Sequence, residues 1–268
     1  MERIKPRYPW RMGATSFVIP AAIEENVRYL AERVDDIQLL FFESPSQCRL
    51  PQKVDIKLLR GLAQEHDLSY TVHLPTDIAP GSASRVMRQQ GVEEIVRLIE
   101  ELAPLNPLCH DLHLAWPPEL AREHWLAHID DFLARLNKEL GRAGAVVAIE
   151  NIDYPFSVVR QLVLAHGFSL CADIGHGLLS GDEPGEFFAD IPRAAHIHYH
   201  GVRDNRDHQA LGGEQQTCSR RLGEALQDHG FAGVVTLELY RSADLEASLR
   251  HLAEIWLPYQ QVQLSELR

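Results

Sequence analysis

Cysteine is scarce in this chain of 268 residues, and it is never arranged in close pairs. The four cysteines, Cys48, Cys109, Cys171 and Cys218, are far apart and form no Cys-x-x-Cys motif. This spacing argues against a structural zinc site built on cysteine and against a redox-active dithiol. Reduced thiols in a cytoplasmic protein are the simplest interpretation.

Long apolar runs are missing as well. Residues 1–11 are basic, but they do not lead into the apolar core of about 7–15 residues that a signal peptide requires. No stretch approaches the roughly 18 apolar residues of a membrane span. The sequence therefore predicts a soluble, cytoplasmic protein that has no membrane partner.

Positive charge is in deficit, since 26 Lys and Arg stand against 38 Asp and Glu, for a net charge of −12. Proteins that bind duplex nucleic acid need a basic surface to neutralise phosphates, so we expect no nucleic-acid partner. A small anionic substrate remains compatible with this charge, because bound divalent cations dominate the local field of such a site.

What the sequence does contain is a regular alternation of short apolar runs and amphipathic segments. The apolar runs predict eight strands, at residues 12–17, 37–42, 68–74, 112–115, 146–150, 170–173, 195–200 and 234–239. The segments between and after them predict helices at residues 20–34, 55–65, 84–102, 120–140, 158–166, 183–189, 219–229 and 245–257. Strands that alternate with helices form parallel sheets through right-handed crossovers. Eight such units close most simply into a (β/α)8 TIM barrel, which we predict as a single domain over residues 1–268.

An open, doubly wound sheet is the alternative fold. A dinucleotide-binding sheet of that kind carries Gly-x-Gly-x-x-Gly after its first strand. This chain has only Met12-Gly13-Ala14-Thr15-Ser16 there. The barrel is therefore favoured.

Six predicted strands end on or near a side chain of the type that binds metal ions. These residues are His73, His113, Glu150, Asp173, His198 and Glu238. A single one of them is readily explained as a hydrogen-bonded rim residue or a turn cap, but six at equivalent positions favour a shared site. The C-terminal ends of barrel strands meet at one face, so we expect the six to converge. Mixed imidazole and carboxylate ligands suit Zn²⁺, Mn²⁺ or Fe²⁺, whereas Mg²⁺ and Ca²⁺ prefer oxygen ligands only, and we expect Zn²⁺ or Mn²⁺.

The adjoining loops offer further ligands. His176 follows Asp173 across a glycine, and Asp207 and His208 lie in the polar loop after the seventh strand. Glu150 is the carboxylate best placed to bridge two ions, which lie about 3.5–4 Å apart in two-metal sites. We therefore predict two divalent ions.

The seventh strand leaves one ligand open. His196 and His200 alternate with His198 and share its face if the strand is regular. Either of them is a candidate to replace His198.

The strand-end pattern, including Glu150-Asn151 and Asp173-Ile174-Gly175-His176, resembles that of the xylose isomerase-like TIM barrels that include the endonuclease IV-type (AP endonuclease family 2) enzymes. Sugar isomerases and epimerases of this group keep mainly a Glu, Asp, His, Glu quartet, which is matched here by Glu150, Asp173, His198 and Glu238. Hydrolytic members carry additional ligands, whose positions are matched by His73, His113, His176 and His208. The resemblance therefore implies a metal-dependent phosphodiesterase.

One position departs from the hydrolytic pattern. Those members have Asp-x-His in the loop after strand seven, whereas here Asp207 directly precedes His208 and Arg206 stands at the place of the acid. The resemblance thus implies two ions and leaves a third site without its usual carboxylate.

The N-terminal half is also similar to a narrower group, the cobamide-remodelling phosphodiesterases. The similarity lies in residues 13–17, 26–27, 34–43 and 71–75. That group hydrolyses the phosphodiester in the nucleotide loop of a corrinoid, so the resemblance implies a small corrinoid substrate. The net acidity of the chain fits such a substrate better than DNA.

Glu150 and Glu238 are the candidate catalytic residues. In hydrolysis, Glu150 would bridge the ions and hold the attacking hydroxide in line. The alternative function is a sugar isomerase or epimerase in which Glu150 and Glu238 form an acid–base pair. Repair of abasic DNA and corrinoid binding without catalysis are further alternatives. Tyr8, Trp10 and Trp116 are candidates either for packing on a corrin or base or for the core.

Overall fold

The computed structural model describes residue 5 and residues 8–43, 54–141, 146–152, 154–181 and 188–260. Its strands are β1 Arg11–Thr15, β2 Asp36–Leu40, β3 Ser69–His73, β4 His110–His113, β5 Val147–Glu150, β6 Ser169–Asp173, β7 Ala194–Tyr199, β8 Gly201–Arg203, β9 Arg206–Gln209 and β10 Val234–Leu237. All of them except β8 and β9 pair in parallel in a closed barrel of order β1-β10-β7-β6-β5-β4-β3-β2. The predicted (β/α)8 barrel is thereby confirmed.

Helices follow the barrel strands along the chain. They are α1 Ile23–Leu30, α2 Ile56–His66, α3 Arg85–Leu102, α4 Arg122–Leu140, α5 Arg160–Ala165, α6 Ile174–Ser180, α7 Gln216–Asp228 and α8 Ser242–Ile255. The helix predicted at 183–189 lies mostly outside the described residues, and α6 begins directly after β6 instead. None of the helices in the described part of the chain is long and apolar enough to cross a bilayer.

Side-chain caps explain where several helices begin. Asp55 accepts a hydrogen bond from the backbone nitrogen of Leu58 at 2.9 Å, which gives a partner to one of the unpaired N–H donors at the start of α2. Asp173 does the same for His176 at 2.7 Å, so the last residue of β6 is also the N-cap of α6. This cap fixes the turn that carries two predicted ligands.

The period of two along each strand decides which side chains enter the barrel. In β7, His196 and His198 contact residues of other strands across the interior. Ile197 and Tyr199, which alternate with them, pack in the apolar core. The fourth strand begins at His110, two residues before the predicted 112, because it pairs with β3 and β5 from that residue. As a result, Asp111 is also buried inside the barrel.

The loop after β7 contains an antiparallel hairpin that the sequence did not indicate. β8 and β9 pair across Asp204 and Asn205, which both adopt left-handed backbone angles, with φ of 52° and 57°. Asp and Asn tolerate this region, and it matches the tight turn of a two-residue hairpin. The hairpin returns His208 toward the barrel.

Of the three aromatic candidates for ligand stacking, Tyr8 and Trp10 are core residues, whereas Trp116 is partly buried against the core. Tyr8 and Trp10 stack with ring centroids 5.4 Å apart, and Trp256 meets Trp10 edge-on at 5.2 Å. Trp10 is only 2% exposed and directly precedes β1, so it lies at the N-terminal end of the barrel. Trp116 stacks on the fully buried Trp125 at 5.0 Å.

Candidate metal centre

All eight predicted metal ligands lie together at the C-terminal end of the barrel. They are His73, His113, Glu150, Asp173, His176, His198, His208 and Glu238. Within the described residues, three groups formed by these side chains and His200 bring their ligand atoms within 4.8 Å of one another. The convergence expected from the strand ends is therefore observed, whereas their role as ligands remains a prediction.

The first group consists of His73, His113 and one oxygen of Glu150. His113 Nε2 lies 3.1 Å from Glu150 Oε2 and 3.2 Å from His73 Nε2. His73 Nδ1 is 2.9 Å from the carbonyl oxygen of Leu74, to which it can only donate a proton. Its Nε2 lone pair is therefore left facing the group, as a metal ligand requires.

The second group contains Glu150, Asp173, His198 and Glu238. His198 Nδ1 lies 3.2 Å from Glu150 Oε1 and 3.7 Å from Glu238 Oε2. One atom of each residue is buried without a hydrogen-bond partner, and these atoms are Glu150 Oε1, Asp173 Oδ2, His198 Nδ1 and Glu238 Oε2. Buried polar atoms are almost always hydrogen-bonded, so four such atoms in one group indicate room for a ligand among them.

The third group is made of the imidazoles of His176, His200 and His208. His208 Nδ1 is 3.0 Å from the backbone oxygen of Glu238, which leaves its Nε2 lone pair free. Asp207 Oδ2 lies 3.9 Å from His176 Nε2 and 3.8 Å from His208 Nε2. A carboxylate thus borders this group although the Asp-x-His spacing is absent.

His200 is a site residue that the sequence left undecided. It is fully buried, and its Nε2 lies 3.4 Å from Asp173 Oδ1. Its ring rests against Gly175, where an added Cβ would come within 2.2 Å of Cε1. The signals in the sequence were the alternation from His196 to His200 and the glycine between Asp173 and His176, but only the fold brings them into contact.

Two further side chains hold the carboxylates in place. The amide of Asn151 donates to the backbone oxygen of Asp173 at 2.9 Å and accepts from its backbone nitrogen at 2.8 Å. The hydroxyl of Tyr240 donates to Glu238 Oε1 at 3.4 Å, on the side opposite the unpartnered oxygen. The Glu150-Asn151 pair therefore couples β5 to β6 beside the cluster.

Burial and mutual contact shift the pKa values of the cluster strongly. Burial alone would raise the pKa of Glu150, but His198 and His113 outweigh it and hold that pKa well below its usual range. Burial likewise opposes the charge on His176, yet Asp173 and Glu150 raise its pKa to about 11. The carboxylates therefore demand compensating positive charge, from protons on the imidazoles or from cations.

The donor set fits divalent cations. Unpartnered buried oxygens and nitrogens converge, imidazole lone pairs face inward, and the anionic oxygens are not matched by any Lys or Arg among their described contacts. Mixed nitrogen and oxygen donors of this kind suit Zn²⁺, Mn²⁺ or Fe²⁺. His73, His113 and Glu150 would hold one ion, and Glu150, Asp173, His198 and Glu238 a second.

An open pocket of 530 Å³ leads to the cluster. Its lining includes five of the predicted ligands, His73, His113, His176, His208 and Glu238, together with several apolar side chains. The apolar lining residues are Leu40, Phe41, Phe42, Ile152 and Leu179. A ligand with a charged end and an apolar or planar body would match this division.

Comparisons with known proteins agree on the fold. The family model described as "Xylose isomerase-like TIM barrel" matches residues 27–258. No curated protein matches the sequence.

Similar solved structures cover nearly the whole chain at low identity. A D-tagatose 3-epimerase-like protein is 22% identical with a TM-score of 0.76, over 92% of this chain and 98% of its own. The 3-keto-D-glucoside 4-epimerase of E. coli is 18% identical with a TM-score of 0.72, over 92% and 98%. An AP endonuclease, family 2, from Brucella melitensis is 18% identical with a TM-score of 0.71, over 96% and 100%. At such identities the likeness establishes the fold alone.

Proposed function

The chain belongs to the xylose isomerase-like TIM barrel family, and we propose that it is a divalent-metal-dependent phosphodiesterase. The observation that carries this proposal is the pair His73 and His113, which adds a second ligand group to Glu150 beside the quartet. A quartet alone suffices for a site with one ion. Two groups that share a carboxylate suit a reaction in which attacking and leaving oxygens are both stabilised.

Glu150 is central to this mechanism. Its Oε2 faces His73 and His113, while its Oε1 faces His198, so each ligand group contains one oxygen of the same carboxylate. Bound divalent cations would supply Lewis acidity toward phosphate oxygens and hydroxide at neutral pH. Glu238, oriented by Tyr240, would hold or receive a proton beside the reacting phosphate.

The proposed substrate is a cobamide, cleaved in its nucleotide loop. A pocket of 530 Å³ lies within the usual range of sites for small molecules. The apolar wall around Phe41 and Phe42 offers a surface for a planar base or for the edge of the corrin. The net charge of −12 disfavours duplex DNA as substrate.

A sugar epimerase or isomerase is the second candidate. The names of the two epimerase structures above favour it, and the described site contains the quartet that it would use. Glu150 and Glu238 would then act as the acid–base pair on a carbon-bound hydrogen. In this reaction His73 and His113 have no required role.

Metal analysis followed by product analysis separates the two candidates. Purified protein loaded with Zn²⁺ or Mn²⁺ is incubated with adenosylcobalamin, with a panel of ketohexoses and with an abasic DNA duplex, and the products are identified by mass and chromatography. We expect multiple-turnover cleavage of the cobamide only. Epimerised sugar without cobamide cleavage would replace the proposal by the second candidate.

Variants of the first ligand group provide the matched test. H73N combined with H113N should abolish cobamide cleavage, whereas H166N should preserve it, because His166 pairs with Asp130 on the helical surface at 2.8 Å. Cleavage that survives in H73N/H113N but is lost in E238Q would contradict a role for the first group.

A further inference from the structure

Two exposed phenylalanines, here called the aromatic pair, lie side by side at the C-terminal rim of the barrel. Phe17 follows β1 and is 45% exposed, and Phe42 follows β2 and is 39% exposed. Their ring centroids are 5.3 Å apart at an interplanar angle of 80°. In the part of the chain that the structure describes, they are the only exposed Phe, Tyr or Trp residues. Scattered apolar side chains are ordinary on a surface, but two exposed rings in contact beside a pocket indicate a binding surface.

The backbone that carries Phe17 is held on both sides of the exposed ring. The backbone nitrogen of Ser16 donates to the backbone oxygen of Gln38 at 2.9 Å. On the other side, the backbone nitrogen of Val18 donates to the side-chain oxygen of Asn26 at 2.8 Å. Ser16 and Val18 are each only 2% exposed, so Phe17 is an exposed residue between two buried neighbours. A ligand that binds to this ring therefore has little loop ordering to compensate.

Phe42 is fixed next to the first ligand group. The backbone nitrogen of Phe41 donates to the backbone oxygen of His73 at 3.2 Å, and the hydroxyl of Thr76 donates to the backbone oxygen of Phe42 at 3.1 Å. Phe42, His73 and Thr76 all line the pocket. Neighbouring strands lie about 4.8 Å apart, so Phe42 is one strand and one residue away from a predicted metal ligand.

This short separation matches the build of a nucleotide, in which a single sugar joins a phosphate to a planar base. A ring that stacks on one phenylalanine can meet the edge of the other, and aromatic groups favour both arrangements. We propose that Phe17 and Phe42 form the subsite for the planar base of the substrate, beside the phosphate at the metal centre. The inference rests on the proposed phosphodiesterase function, because that function requires a phosphate at the cations.

Two phosphate ligands that differ only in the base test this subsite. AMP carries a planar base, a sugar and a phosphate, whereas ribose 5-phosphate lacks the base. Binding of each ligand to the Mn²⁺-loaded protein is measured by isothermal titration calorimetry, without turnover. We expect AMP to bind on the order of tenfold more tightly than ribose 5-phosphate, as base stacking on aromatic side chains implies.

Variants assign this preference to the aromatic pair. F17A combined with F42A should remove the preference for AMP and leave the affinity for ribose 5-phosphate unchanged. F17L combined with F42L keeps an apolar surface without the planar rings, and it should also lose most of the preference. L257A is the matched control and should keep the preference, because Leu257 is 64% exposed but is not among the residues that line the pocket.

Equal affinity of the wild type for AMP and ribose 5-phosphate, or no binding of either, would overturn the proposal. A parallel loss of both ligands in F17A/F42A would overturn it as well, because the pair would then contact the sugar or the phosphate. The wild-type comparison decides the matter if the double variant does not fold. Cobamide cleavage plays no part in these measurements. Its absence would refute the proposed function and leave the base subsite intact, whereas cleavage without a preference for AMP would refute only the subsite.

Discussion

The barrel interior holds buried carboxylates at two depths, and their surroundings differ. At the N-terminal end, Asp36 accepts hydrogen bonds from Ser69 at 2.6 Å and from Thr71 at 2.7 Å, one on each oxygen. At the C-terminal end, Glu150 and Asp173 each keep a buried oxygen without any hydrogen-bond partner. Both regions are equally inaccessible to solvent, so burial alone does not distinguish them.

The pKa values of the two regions shift in opposite directions. Burial raises the pKa of Asp36 more than its two hydroxyl partners lower it, so this acid can be satisfied without positive charge. Imidazoles hold the pKa of Glu150 well below its usual range in spite of burial. The hydrogen bonds of the lower region, around Asp36 at the N-terminal end, are thus satisfied within the protein. The upper region, around Glu150 and Asp173 at the C-terminal end, needs an added cation or protons to balance its negative charge.

The largest effect is expected from E150Q, which removes the carboxylate shared by two ligand groups. Turnover should fall on the order of 10³-fold, within the range for loss of a group that handles protons in the transition state. Loss of bound metal should accompany it, measured by elemental analysis beside kcat. If turnover and metal content both match those of the wild type, the region around Glu150 does not depend on a bound cation and the comparison fails.

Removal of the metal should destabilise the protein as a whole. A cation present at about 1,000 times its Kd stabilises the folded state by roughly 4 kcal/mol, which corresponds to a Tm difference of roughly 10 °C for a chain of this size. Thermal unfolding before and after dialysis against a chelator measures this Tm difference. A Tm that the chelator leaves unchanged would argue that the unpartnered atoms hold no ion.

The stability of the metal-free protein should depend on pH, because protons on the imidazoles balance the carboxylates when no cation is bound. The pKa of His176 rises from 6.5 unfolded to about 11 folded, so its stabilising contribution is complete below pH 6.5 and is lost as pH rises toward 11. The metal-free protein should lose unfolding free energy over that window in denaturant titrations. Zn²⁺ affinity should rise by about tenfold per pH unit for each proton displaced, and a flat profile would contradict the exchange.

The smallest effect is expected from T71V in the lower region. It removes the hydrogen bond to Asp36 at 2.7 Å and should cost about 2 kcal/mol of unfolding free energy, as for a bond to a carboxyl group. Zn²⁺ affinity should be unchanged, although Thr71 is only two residues from His73 on the same strand. A parallel loss of Zn²⁺ affinity would mean that the two depths are coupled.

Much of the site follows from local patterns. Short apolar runs alternating with helices predicted the barrel, and a barrel gathers its strand ends at one face, so His73, His113, Glu150, Asp173 and Glu238 could be placed together without coordinates. The predicted ends of the individual strands were less accurate than the fold. The fourth strand starts two residues earlier than predicted because pairing with its neighbours, not local hydrophobicity, determines its extent.

The sequence by itself determined the fold class and the candidate ligands, because alternation and strand-end chemistry are properties of neighbouring residues. Only the tertiary structure decided which atoms meet across the barrel. The contact of His200 with Gly175 and the contact of Asp111 with His198 join segments far apart in the chain. Such contacts depend on strand register and barrel closure, which no local pattern encodes.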